Sequence, residues 1–108
     1  MDESIRYLLE QLRPLAGLTA RRMFGGYGLF CEGLMFALVA DQQLYFKVDE
    51  QSVAAYRQRG LPAFRYLRRG VWVSLSYHLA PEELIDEPGA LLPWAEAAVA
   101  AARRARGV

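Results

Sequence analysis

Residues 21–30 read Arg21-Arg22-Met23-Phe24-Gly25-Gly26-Tyr27-Gly28-Leu29-Phe30, two arginines followed by aromatics interleaved with three glycines. Three readings compete: a glycine-rich loop that cradles phosphate, an aromatic platform for nucleic-acid bases, or a glycine-bearing strand. The phosphate reading fails on context. A dinucleotide fingerprint needs Gly-x-Gly-x-x-Gly between a strand and a helix. Gly26 and Gly28 supply two members, but Cys31 stands at the third, after a helical pattern and before a strand-like one. No Gly-Lys-Ser/Thr follows, as a P-loop requires. The strand reading predicts one strand from Met23 to Cys31. Met23, Gly25, Tyr27, Leu29 and Cys31 would share one face, and Phe24, Gly26, Gly28 and Phe30 the other. The glycines permit a bulge or a close backbone approach, and small residues beside large aromatics suggest rings from a neighbouring strand or helix packing over them.

Upstream, Ile5, Leu8, Leu9 and Leu12 fall at i, i+3, i+4 and i+7. They predict an amphipathic helix over Asp2–Arg13, capped by Asp2 or Ser4 and ended by Pro14 and Gly17. Downstream, Leu34–Ala40 and Gln43–Val48 read as strands joined by short turns at Glu32-Gly33 and Asp41-Gln42. Leu34–Ala40 is apolar at both parities and should be covered on both faces. Asp49 should cap a short helix that buries Val53 and Tyr56 and ends at Gly60.

Phe64–Leu67 and Val71–Tyr77 then form a hairpin turning at Arg69-Gly70. Its alternation sends Val71, Val73, Leu75 and Tyr77 toward the core and Trp72, Ser74 and Ser76 away. Pro81 with Glu82 and Glu83 suits a helix start, and Asp86-Glu87-Pro88 suits a second. A long alanine-rich helix should run to about Arg106 and bury Leu91, Ala95, Ala98, Val99 and Ala102, with Pro93 kinking or delaying it. The predicted order is α-β-β-β-α-β-β-α. Its simplest solution is a two-layer α+β fold, an antiparallel five-stranded sheet with helices packed on it.

The chain has 108 residues, the size of one domain, with 54% hydrophobic and 23% charged residues, a globular composition. A formal net charge of +1 argues against strong autonomous binding to nucleic acid. Cys31 is the one cysteine, so no internal disulfide can form. The amino terminus is a poor signal peptide, and no apolar run reaches the roughly 18 residues of a membrane span. The expected setting is the cytoplasm, away from the membrane.

Tests for chemistry return little. Gly26-Tyr27-Gly28 overlaps the RNA-recognition-motif signature but lacks the flanking basic and aromatic residues. Arg21 and Arg22 beside Tyr27 keep a nucleic-acid-binding module as the alternative reading. Ser74, Ser76 and His78 alternate along one strand face, roughly 7 Å apart between neighbours, too far for a Ser–His bond. One cysteine and one histidine cannot build an ordinary structural zinc site. Helix starts account for Glu82, Glu83, Asp86 and Glu87. No catalytic residue, cofactor site or metal site is expected. Trp72 shares a face with serines and Tyr45 shares one with Lys47, as residues on an uncovered sheet face would. Arg21, Arg22, Tyr27, Tyr45, Lys47 and Trp72 are the candidate interaction surface, for a partner protein or a second copy of the chain.

The run Met23-Phe24-Gly25-Gly26-Tyr27-Gly28-Leu29-Phe30 resembles the N-terminal domain of the TfoX/Sxy family. The likeness continues through Phe36-Ala37-Leu38-Val39, Leu44-Tyr45-Phe46-Lys47 and Gly60 to Tyr66. It closes with Leu75-Ser76-Tyr77, Pro81-Glu82-Glu83-Leu84 and the helix from Pro88 through Ala95. It covers nearly the whole chain, so residues 1–108 are expected to form a single domain of this N-terminal type. The resemblance implies a two-layer α+β fold with an antiparallel sheet and a link to regulation of natural competence. Two-domain members of the family are transcriptional regulators with a second, helical domain. It implies no catalytic or ligand residues. The function expected is therefore a non-enzymatic regulatory or protein-interaction domain.

Overall fold

Three two-residue turns set the register of most of the sheet. Glu32-Gly33, Asp41-Gln42 and Arg69-Gly70 all take positive φ, between 50° and 84°. Such turns match the right-handed twist of the strands they join. All three stand where the sequence predicts them. The computed structural model describes residues 2–23 and 25–107. In it the helices are α1 (Glu3–Gln11), α2 (Val53–Gln58) and α3 (Pro88–Arg106). The strands are β1 (Leu18–Met23), β2 (Gly26–Cys31), β3 (Leu34–Ala40), β4 (Gln43–Lys47), β5 (Ala63–Arg68) and β6 (Val71–Leu79). One antiparallel sheet holds them in the order β1-β2-β3-β4-β6-β5.

The α+β class and the antiparallel sheet agree with expectation, but the sheet has six strands, not five. The opening stretch is a hairpin rather than one strand. Met23 pairs with Gly26, and Gly25 turns at φ +75° between them. Phe24, assigned above to the second face of the expected strand, lies outside the described residues. The missed strand, β1, carries Arg21 and Arg22 at a sheet edge, where water can reach charged side chains. Its apolar alternation is therefore too weak to read.

The glycines divide between the two kinds of neighbour expected, backbone at Gly26 and side chains at Gly28. A Cβ on Gly26 would collide with the carbonyl oxygen of Val39, so what lies over this position is the backbone of β3 and not a ring. Side chains do cover Gly28: Met23, Met35 and Phe30 close over it. A bulge forms one strand away. Leu29 pairs with Ala37 and Phe30 with Met35, which leaves Phe36 as the extra residue in β3.

Pairing separates the two faces. Leu29, Ala37 and Phe46 lie in line on the helix-covered face, and Gly28, Leu38 and Tyr45 on the other. The core fills the first of these. Ile5 and Leu12 of the N-terminal segment, Leu29, Phe36, Phe46 and Leu91 are fully buried, with Phe36 and Phe46 stacked at 6.3 Å. Asp2 caps α1 by accepting from the Ile5 N–H at 3.0 Å.

α3 lies across β3 and β4 through Leu91 and through Ala95, Ala98, Ala101 and Ala102, small residues that let helix and sheet approach closely. Pro93 neither stops nor delays α3, which runs on to Arg106. Its exposed position leaves the freed carbonyl of the preceding turn open to water. Pro81 opens only a single 3₁₀ turn, Glu82–Leu84.

The end of α3 is tied to the β4–α2 connection. Arg104 donates from Nε and Nη2 to the Asp49 carboxylate at 2.6 and 3.0 Å. Asp49 also accepts from the Gln51 N–H. The Arg104 bonds first, and that backbone bond after them, hold the Asp49 carboxyl down at about 2. The pair's contribution to stability is therefore complete above the carboxyl's ordinary value near 3.8 and is lost as pH falls through about 2. Asp49 does not cap α2 as the sequence suggested; Ser52 occupies that position, and Asp49 turns the chain just before it.

Candidate interaction surface

β6 is nine residues long, but only Tyr77–Leu79 pair with β4. Val71–Ser74 pair with β5. The hairpin therefore leaves the sheet as an arm that α3 does not cover. Its large apolar side chains are exposed: Val71 by 63%, Leu67 and Trp72 by 57%, Tyr66 by 37% and Leu75 by 36%. The expectation that Val71 and Leu75 face the core is thereby corrected. Alternation places Val71, Val73, Leu75 and Tyr77 together as expected, but on the face opposite the helices.

That face is concave. Met23, Met35, Leu38, Phe64, Tyr66 and Leu75 surround a groove of about 470 Å³. They come from β1, β3, β5 and β6. In a flat sheet, strands lie about 4.8 Å apart, which would hold β1 and β5 well away from each other. A shared groove requires the sheet to coil, as strand twist and the β3 bulge favour. The Tyr45 and Phe64 rings meet edge-on at 5.1 Å and fasten β5 against β4. Tyr77 donates its hydroxyl to the Met35 carbonyl at 3.3 Å, on the same side. Burial pushes the phenols of Tyr45 and Tyr77 above their ordinary value, which keeps both as neutral donors.

The six predicted surface residues do not form one patch. Arg21 pairs across from Gly28 and Arg22 across from Tyr27, so they occupy opposite faces of β1. Tyr27 is buried, 9% exposed, with the Arg22 guanidinium 5.9 Å from its ring centroid. Arg21 lies over Phe30 at 5.3 Å. Tyr45 is half-buried under Phe64. Lys47 donates to Ser76 Oγ at 2.6 Å. Trp72 stands on the arm, with Arg65 stacked on its ring at 4.4 Å. Sequence reasoning missed the groove itself. Met23, Met35 and Leu38 are ordinary core residues by pattern, and no local signal reports a coiled sheet.

His78 and Cys31 are both taken up by the fold. His78 Nδ1 is 2.8 Å from the Leu61 carbonyl, an acceptor, so this nitrogen carries the proton. Cys31 is buried, and burial raises its thiol. Among the described residues no three His, Cys, Asp or Glu side chains gather as a metal site, and no helix is long and apolar enough to cross a membrane.

The sequence profile of the TfoX N-terminal domain matches residues 10–102. The DNA transformation protein TfoX1 of Aliivibrio fischeri is 31% identical over 81 residues, 75% of this chain and 39% of that protein. Protein Sxy of Escherichia coli is 36% identical over 76 residues, 69% of this chain and 36% of that protein. The chain thus spans well under half the length of each of these curated relatives. A match over most of its residues, on a fold of the expected class, places this chain in the TfoX N-terminal domain family.

Proposed function

We propose that this chain is a non-enzymatic regulatory domain that binds another protein through the β5–β6 arm and the concave face of the sheet. The observation that carries this reading is the run of large apolar side chains left uncovered on the arm. Exposed apolar surface of this kind, with aromatics and arginine among it, is the composition of protein interfaces. Family membership supports a regulatory role in competence: one relative is named for DNA transformation. The proposed setting is the cytoplasm. The non-enzymatic part rests on the engagement of His78 and the burial of Cys31. The alternative platform of Arg21, Arg22 and Tyr27 has weaker support, since the two arginines diverge and Tyr27 is buried.

The test is site-specific photocrosslinking inside the native host. A benzophenone amino acid replaces Trp72 on the arm or, as a control, Arg13 beyond the end of α1. Trp72 should give one dominant protein adduct that the Arg13 position does not. Adducts to nucleic acid, or no adduct at Trp72, would overturn the reading.

A further inference from the structure

The arm is as uneven in charge as in polarity. From Gln51 to Pro81 the chain carries Arg57, Arg59, Arg65, Arg68 and Arg69 and not one Asp or Glu. Arg59 is paired with Glu83 at 3.5 Å. Among the described residues no carboxylate lies within ion-pair reach of Arg65, Arg68 or Arg69. Arg68 pairs across from Val71 at the arm's tip and shares the groove's side with Tyr66 by alternation. Arg21 borders the opposite end: it lies over Phe30, which packs with Met23 and Met35 above Gly28. An apolar groove floored by two methionines therefore has arginine at both rims. No Asp or Glu is among the residues that line it, and Asp41 follows the lining residue Ala40 in sequence.

Resting on the protein-interaction reading above, we infer that the groove takes an acidic amphipathic segment of a partner protein. The segment's apolar side chains fill the space over Met23, Met35 and Leu38, and its carboxylates meet Arg21 and Arg68. Charge complementarity selects this occupant over a second copy of the chain. Two arms packed groove to groove about a twofold axis would bring Arg68 and the adjoining turn residue Arg69 of both copies together, a like-charge juxtaposition that guards exposed strands against self-pairing. The apolar floor selects it over nucleic acid. Flexible methionines accommodate the side chains of a peptide lying in a groove, whereas a phosphate backbone has nothing to place there.

The test follows the methyl resonances of Met23 and Met35 in the full chain, assigned with Met23→Leu and Met35→Leu. One synthetic peptide has leucines at i, i+3, i+4 and i+7 over about four helical turns, with glutamates elsewhere. Two others carry lysine or glutamine in place of glutamate. The glutamate peptide should shift both methyls saturably and bind about tenfold tighter than either counterpart. The double reversal Arg21→Glu with Arg68→Glu should weaken it about tenfold and make the lysine peptide the better ligand.

Equal affinity for the three peptides, or no movement of the two methyls, would overturn the inference. So would methyl shifts produced by a mixed-sequence oligonucleotide but not by the glutamate peptide. Concentration-dependent dimerisation that moves the methyls in the absence of peptide would assign the groove to a second copy instead. A protein adduct at Trp72 with no glutamate-peptide binding would overturn the partner chemistry and leave the interaction reading standing. Failure of both would remove both.

Discussion

β4 and β6 are neighbours in the sheet, and both alternate along their length. In β4 the alternation ends in burial: Leu44 and Phe46 sit beneath α3, almost wholly removed from water. In the first half of β6 the same kind of alternation ends in exposure, with Val71 and Leu75 on a surface that no helix covers. The difference lies in what is laid on each strand and not in the strands themselves. α3 crosses β3 and β4, and β6 pairs with β4 only through Tyr77–Leu79. Alternation says which residues share a face; it does not say whether that face is covered.

Removing one ring from the covered half should cost the most. Phe46→Ala empties a site stacked on Phe36 beneath α3 and should cost about 3–5 kcal/mol, read as the shift in a denaturant melt. A loss below about 1 kcal/mol would mean that the helix layer is not the core.

The next effect separates rigid from yielding neighbours. Gly26→Ala sets a methyl against the Val39 carbonyl of β3, a backbone that cannot move without disturbing its pairing. It should cost about 2–3 kcal/mol. Gly28→Ala first meets the thioethers of Met23 and Met35 and the edge of Phe30, side chains on the groove side that can turn away. It should cost about 1 kcal/mol or less. Melts that reverse this order would show the groove side to be the more tightly packed one.

The smallest effect belongs to the arm. Leu67→Ser and Val71→Thr should each change stability by no more than about 0.5 kcal/mol, since neither side chain is buried. If either costs as much as a core truncation, something covers the arm in solution, and the contrast between the two halves fails.

The local features are legible in the sequence. The α1 stripe, the turns at Glu32-Gly33, Asp41-Gln42 and Arg69-Gly70, the β3, β4 and β6 runs and the start of α3 at Pro88 rest on interactions a few residues apart, which a linear pattern records. The family was legible for the same reason, through Met23–Phe30 and the later short motifs. β1 was not legible, because an edge strand with Arg21 and Arg22 can expose its charges and shows little alternation. Other outcomes lay beyond any local pattern: the carbonyl packed on Gly26, the Arg104–Asp49 tie, the divergence of Arg21 from Arg22 and the groove shared by β1, β3, β5 and β6. Each depends on how far the sheet coils and where α3 comes to rest. Both are set by the sum of many long-range contacts, so they were decided only when the whole chain packed.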